Sequence, residues 1–377
     1  MRGEDGARSI MNENKYSVYD DGRVVFRYEG IPSVPPFEVE IRCPLRSGKH
    51  ADQEKILEQH RAWASRFDLL PGNESYQRFC DTRFDQLVAY QLYDLPVEAV
   101  VMASDLMAWF FVFDDIMDID HGRDPGIREY RTKLCKRHLD ILNGAEPNEE
   151  DPHSIRAFSD YLNQVRMLSS ERFSFWYERM KYHLREYVLG ACWESHIGPT
   201  TGSNTNTPLY LQIRHMSVGV APCLDLMAII KQVPPGPFRE NFFINRLERL
   251  AINYSIWIND LAGLGRDVKR GLGNVIFTLE KDHSLSLAEA TRMVGRMCDE
   301  ELKAFLELER QLPVLLGDVS EEDQKAFEAY IDVLKRWMRG LVDWSARSAR
   351  YQRLDVDMAL QNKALVRQAS QKYRNGE

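Results

Sequence analysis

An apolar run that ends in three acids constrains this chain more than any other feature: Trp109-Phe110-Phe111-Val112-Phe113-Asp114-Asp115-Ile116-Met117-Asp118. On a helix Asp114 and Asp118 project from one face, with Asp115 beside them. Carboxylates this close repel one another, and a divalent cation relieves the repulsion. Oxygen-only ligands point to Mg²⁺ or Mn²⁺ rather than zinc. A helix end that is merely solvated carries the same pattern, so the motif alone leaves both readings open.

Downstream, Asn259, Gly263 and Asp267 fall at i, i+4 and i+8 and stack along one helical stripe. An amide oxygen and a carboxylate on either side of a glycine form a notch for a hydrated cation. Glycine inside a helix costs roughly 1 kcal/mol relative to alanine, so Gly263 and Gly265 need a reason. Close helix packing is the alternative one. Cationic residues follow a comparable logic: Arg214, Arg266 and Arg350 suit a phosphate-bearing ligand, although a surface arginine needs no partner.

The rest of the chain reads as helices from Ala51 onward, about ten or more, closed by Gly and Pro signals. Expected elements include Tyr76 to Tyr93, Val97 to Asp118, Ile127 to Leu142, Ser170 to Glu194, Asn241 to Arg270, Leu287 to Gln311 and Glu321 to Arg347. A helix from Leu209 should break near Gly219 and Pro222. No stretch alternates as a strand would, and no internal repeat is evident. The expected organisation is a polar, loose arm over residues 1–35, then one all-α domain over residues 36–377.

Composition narrows the function. Lys plus Arg number 49 against 57 Asp plus Glu, a net charge of −8. No basic surplus exists to meet a nucleic-acid backbone. The six cysteines show no metal-binding spacing and read as buried thiols in a reducing compartment. The first residues lack an apolar signal core, and the most apolar window, Ala99 to Phe113, is too short to span a bilayer. A soluble, cytoplasmic protein is expected.

Together these segments resemble the class I terpene synthases, specifically the microbial terpene cyclases of the isoprenoid synthase fold, from about Pro36 to Tyr351. Asp114-Asp115-Ile116-Met117-Asp118 matches D-D-x-x-D. The run from Asn259 to Asp267 is similar to N-D-x-x-S-x-x-x-E, with Gly263 for Ser and Asp267 for Glu. Arg214 sits where the family places a diphosphate-sensing arginine. Trp344, Ser348, Arg350 and Tyr351 look like W-x-x-x-[ST]-x-R-Y.

The resemblance implies a helical bundle around a central apolar cavity, where a linear isoprenyl diphosphate binds through three Mg²⁺ ions. Asp114, Asp115 and Asp118 would hold metal on one side, and Asn259, Asp267 and a water at Gly263 on the other. Arg214, Arg266, Arg350 and Tyr351 would donate to the diphosphate. Catalytic roles then fall to Asp114, Arg214, Arg350 and Tyr351. Phe110, Phe113, Trp193, Tyr254 and Trp344 are candidate cavity walls, and Ser217 and Val218 would respond to diphosphate at the helix break. Farnesyl diphosphate is the favoured substrate, with C10 or C20 chains as alternatives. A chain-elongating prenyltransferase fits less well, because no second D-D-x-x-D is present. An inactive isoprenoid-binding protein is the reading that Gly263 and Asp267 favour. Helical cyclases of this kind often pair, so a homodimer is compatible with the resemblance.

Overall fold

Apolar residues on every face of α4 (Val97–Met117) make it a helix that others must surround. The computed structural model bears this out: Trp109 and Phe113 are fully buried, and Trp109 stacks on Phe158 with ring centroids 4.3 Å apart. The structure describes residues 16–69, 73–118, 125–197, 205–235, 241–317 and 319–352. α1 (Gln53–Arg66), α3 (Phe84–Gln91), α6 (His153–Ser169), α7 (Ser174–Ile197) and α9 (Val220–Ile230) pack against α4, and α2 (Asn73–Thr82), α5 (Pro125–Leu142) and α8 (Thr207–Ser217) complete the first half. The second half adds α10 (Phe242–Arg270), α11 (Val275–His283), α12 (Leu287–Leu315), α13 (Glu321–Ser345) and the short α14 (Ala349–Gln352). The expected all-α class holds.

Local signals explain the boundaries. Asn241 accepts hydrogen bonds from the Phe243 and Ile244 amides at the start of α10 (3.1 and 3.0 Å), and Gly271 ends it with φ 66°. Gly219, at φ 69°, divides α8 from α9 where a break is expected. A Cβ there would also meet the Tyr187 and Phe110 rings at 3.3 and 3.4 Å, so glycine is required twice over. By length and composition Thr207–Ile230 could cross a bilayer, but the break interrupts it and 67% of its apolar window is buried in the protein. It is a pair of core helices.

Three expectations need correction. Residues 16–42 form an antiparallel sheet ordered β1 (Tyr16–Val18), β2 (Arg23–Tyr28), β3 (Phe37–Arg42). The loose arm therefore does not extend beyond Tyr16; residues 1–15 lie outside the described residues. Phe26 pairs with Val39 and Val24 with Ile41, and this apolar face covers α12. Gly295 on α12 permits the contact, since a Cβ would come within 2.6 Å of Val39 Cγ1. The Tyr28 hydroxyl donates to the Leu261 carbonyl (2.9 Å), tying the sheet to the back of α10. Second, the single helix expected from Tyr76 to Tyr93 is split at Arg83, whose φ is 53°. Third, α11 is an added helix, capped by Asn274. The basic tail after Gln352 lies outside the described residues.

His138 is buried among Trp109, Phe113 and Phe158, with Nδ1 2.8 Å from the Leu134 carbonyl oxygen. Burial holds its pKa down to about 4. A histidine kept neutral in the fold but free to charge in the unfolded chain stabilises above its ordinary pKa, and the contribution disappears as pH falls toward the folded value. Denaturant unfolding should therefore lose about 2 kcal/mol between pH 7.5 and pH 5 through this residue alone. His138→Gln should flatten the slope by that amount; an unchanged slope would mean the histidine does not titrate this way.

Candidate active site

The acids at the end of α4 meet arginines from two other helices. Asp114, Asp115 and Asp118 present ligand oxygens all within 4.8 Å of one another. Burial, then the neighbouring Asp118 charge, raise the Asp114 carboxyl to about 7. Arg266 Nη2 donates to Asp118 (3.0 Å), and Arg270 lies 3.6 Å from both Asp115 and Asp118. Arg350 reaches Asp114 (3.4 Å) and Asp115 (3.8 Å) while its guanidinium lies over the Phe111 ring. Asp115 is almost wholly buried behind the other two. A cluster of oxygen donors with a suppressed ionisation is chemically suited to a hard divalent cation.

Across the cavity, α10 carries the second stripe. Arg214 on α8 donates to the Asn259 side-chain oxygen (2.6 Å) and to Asp260 (2.9 Å). Asn259 in turn donates to the Tyr351 hydroxyl (3.2 Å). Asp267 accepts from Asn274 (2.9 Å), and burial raises its carboxyl to about 6. Gly263 is explained by its neighbour: a Cβ there would stand 3.0 Å from Asp267 Oδ2. The shorter acid lies in the space that a serine would fill, so the two departures from the family pattern belong together.

Asp260 has a role that motif spacing does not reveal. It accepts from Arg214, from the Tyr210 hydroxyl (3.4 Å) and from the Val275 amide (2.9 Å), so it fixes Arg214 against α10 and α11. Its place beside Asn259, as the D of the N-D-x-x-S-x-x-x-E pattern, is the signal the sequence offers.

The C-terminal signature is anchored by the break at Arg83. That left-handed residue exposes carbonyls that a continuous helix would use internally. Trp344 Nε1 donates to the Arg83 carbonyl (2.9 Å) and Ser348 Oγ to the Thr82 carbonyl (2.9 Å). Ser348 Oγ also accepts from the Arg350 amide (3.2 Å). Trp and Ser thus position the turn that aims Arg350 and Tyr351 inward.

One cavity brings these groups together. Its lining includes Asp114, Asp118, Asn259, Asp267 and all of Arg214, Arg266, Arg350 and Tyr351. Phe110, Trp344, Ser217 and Val218 line it as expected. Phe113 does not: its ring turns away, packed against His138 (4.8 Å) and Trp109 (5.3 Å). Phe111, one turn before Asp114, occupies the wall instead. Trp193 is exposed on the outer face of α7, and Tyr254 is buried beside Cys43 and Cys298, so neither is a wall. Tyr187 and Glu194 on α7 complete this side, and burial raises the Glu194 carboxyl.

A helical bundle holding this arrangement has the fold of solved class I terpene synthases. Linalool/nerolidol synthase from Streptomyces clavuligerus superposes with a TM-score of 0.70, covering 81% of this chain and 99% of that one at 21% identity. The chain belongs to terpene synthase family 2, C-terminal metal binding, whose model matches residues 105–304. Similar proteins include germacrene A synthase of Nostoc punctiforme, 29% identical over 84% of this chain and 95% of that protein. The (+)-T-muurolol synthase of Roseiflexus castenholzii, described as (2E,6E)-farnesyl diphosphate cyclizing, is 27% identical over 80% and 89%. The chain is accordingly a terpene cyclase that depends on a divalent metal.

Restoring serine alone should therefore harm this site. Gly263→Ser should displace Asp267 from Asn274 and weaken metal affinity by about tenfold, the scale of one charge-assisted hydrogen bond. Gly263→Ser with Asp267→Glu should recover it. Metal titration of the three proteins by calorimetry checks this; equal or tighter binding by the single variant would show that the two positions are independent.

Proposed function

We propose that the protein ionises farnesyl diphosphate and cyclises the resulting cation within the cavity, releasing diphosphate and a sesquiterpene. The observation that carries this reading is the convergence of two oxygen-donor faces, on α4 and α10, with three arginines on a cavity whose wall also presents Phe110, Phe111, Tyr187, Trp337 and Trp344. Farnesyl diphosphate is favoured because it is the substrate named for the T-muurolol synthase among the relatives.

Three Mg²⁺ ions, held by Asp114 and Asp118 on one side and by Asn259 and Asp267 on the other, would supply the positive charge that stabilises the departing diphosphate. The chain's own groups do the rest. Arg266 and Arg350 exchange their carboxylate partners for diphosphate oxygens and donate to them, and Arg214, still paired with Asp260, and the Tyr351 hydroxyl donate as well. Asp260 keeps one end of Arg214 fixed during that exchange. Val218 and Ser217 border the α8–α9 break at Gly219, where a shift of Arg214 reaches the hydrocarbon chain. Phe110, Phe111, Tyr187 and Trp344 offer ring faces, each contributing on the order of 0.5–2 kcal/mol toward a nearby cation. Their packing excludes water on that side while the cation persists.

The test is incubation of the purified protein with geranyl, farnesyl and geranylgeranyl diphosphate separately, with and without Mg²⁺, with products identified by gas chromatography–mass spectrometry. A cyclic C15 product that requires both farnesyl diphosphate and metal is expected. Asp114→Ala should reduce it by at least about a hundredfold while leaving the folded spectrum intact. Turnover of only the C10 or C20 substrate would overturn the chain-length assignment. Turnover of none would overturn the cyclase reading.

A further inference from the structure

Behind the acid-bearing end of α4, the seam between α5 and α7 contains two cysteines that the reaction does not use. Thr132 on α5 lies against His196 on α7 (3.4 Å), and Asn143, just past α5, accepts from Arg185 (2.6 Å). These contacts fix an antiparallel register that sets Cys135 opposite Cys192. Cys135 is buried; Cys192 is half-buried, with His196 Nδ1 3.9 Å from its sulfur. The sequence reading of six ordinary buried thiols therefore fails at Cys192. In this register the two side chains face each other across the seam, and the neighbouring Cys135 thiol, with His196 and Arg131 nearby, draws the Cys192 thiol down while Cys135 is driven upward. An accessible sulfur that forms the thiolate and a buried partner beside it are the two halves of a dithiol redox pair.

We propose that Cys192 and Cys135 are a redox modification site that a low-molecular-weight disulfide oxidises to an α5–α7 disulfide. The Cys192 thiolate attacks one sulfur of oxidised glutathione, breaking its S–S bond and releasing one glutathione thiolate. Cys135 then gives up its proton and its sulfur attacks Cys192 Sγ, forming the protein disulfide and expelling the second glutathione. Two protein thiols are oxidised and one glutathione disulfide is reduced.

The bond would be felt at the metal face, a consequence that rests on the cyclase reading above. Cys135 Sγ lies 3.9 Å from Met117 Sδ, and Met117 lines the cavity next to Asp118. Arg131, one turn earlier on α5, donates from Nε to the Ile116 carbonyl (3.2 Å). Drawing Cys135 toward Cys192 therefore pulls on the last turn of α4.

The full-length protein is incubated with oxidised glutathione, and intact mass and peptide mapping are followed together with turnover. Loss of two hydrogens and a linked pair of peptides containing Cys135 and Cys192 are expected. Turnover should fall about tenfold, the scale of a sub-ångström misplacement of reacting groups, and return with dithiothreitol. Cys135→Ala should stop at a glutathione adduct on Cys192, and Cys192→Ala should take none. Two thiols that remain open to alkylation, or a disulfide between other cysteines, would overturn the site. A Cys135–Cys192 disulfide with unchanged turnover would overturn its coupling to the metal face. Mapping needs no substrate, so the redox pair stands or falls separately from the cyclase assignment.

Discussion

The structure turns on an electrostatic problem placed at the end of an apolar helix. Asp114, Asp115 and Asp118 cannot all remain charged in so tight a space without compensation. Here the compensation comes from Arg266 and Arg270 on α10 and Arg350 on α14. These ion pairs join segments far apart in the chain and close the bundle over its cavity. They are also of the kind a ligand can replace: a divalent cation suits the carboxylates, and a diphosphate suits the guanidinium groups. Each partner released by one ligand is matched by the other, so metal and diphosphate should enter as a set.

The framework that supports this exchange is built from backbone interruptions. At Gly219 the chain leaves the helix so that Arg214 can reach α10 while α9 continues into the core. At Arg83 it leaves the helix so that Trp344 and Ser348 have carbonyls to bind. At Gly263 the helix is intact but a side chain is missing, and Asp267 lies in that space. In each case a broken helix or a missing side chain positions a charged group.

Much of this was legible in the sequence, for physical reasons that can be named. The D-D-x-x-D run and the Asn259–Gly263–Asp267 stripe depend only on helical spacing, and both fell on the predicted faces. Gly219 and Gly271 mark helix ends because no other residue adopts their backbone angles so readily. The wall was misread at Phe113 although helical spacing favoured its neighbour: Phe110 and Phe111 lie one turn before Asp114, whereas Phe113 points about 100° away from it. The alternation Phe37-Glu38-Val39-Glu40-Ile41-Arg42 was present but short, just after the polar stretch read as a loose arm. Arg83 breaks its helix without any Gly or Pro to announce it. Asp260 and the arginine–acid pairings depend on contacts between distant helices, which a single sequence does not encode locally.

The central claim is that the two acid faces and the arginines form one site in which metal and diphosphate bind interdependently. Calorimetric titration of inorganic diphosphate into the protein, with Mg²⁺ and then with chelator, tests it most directly. The account predicts that Mg²⁺ tightens diphosphate binding by at least about a hundredfold, a coupling of roughly 3 kcal/mol, and that diphosphate tightens Mg²⁺ binding equally. Diphosphate affinity that is the same with and without metal would contradict it, leaving the arginines and the carboxylates as neighbours without a shared function.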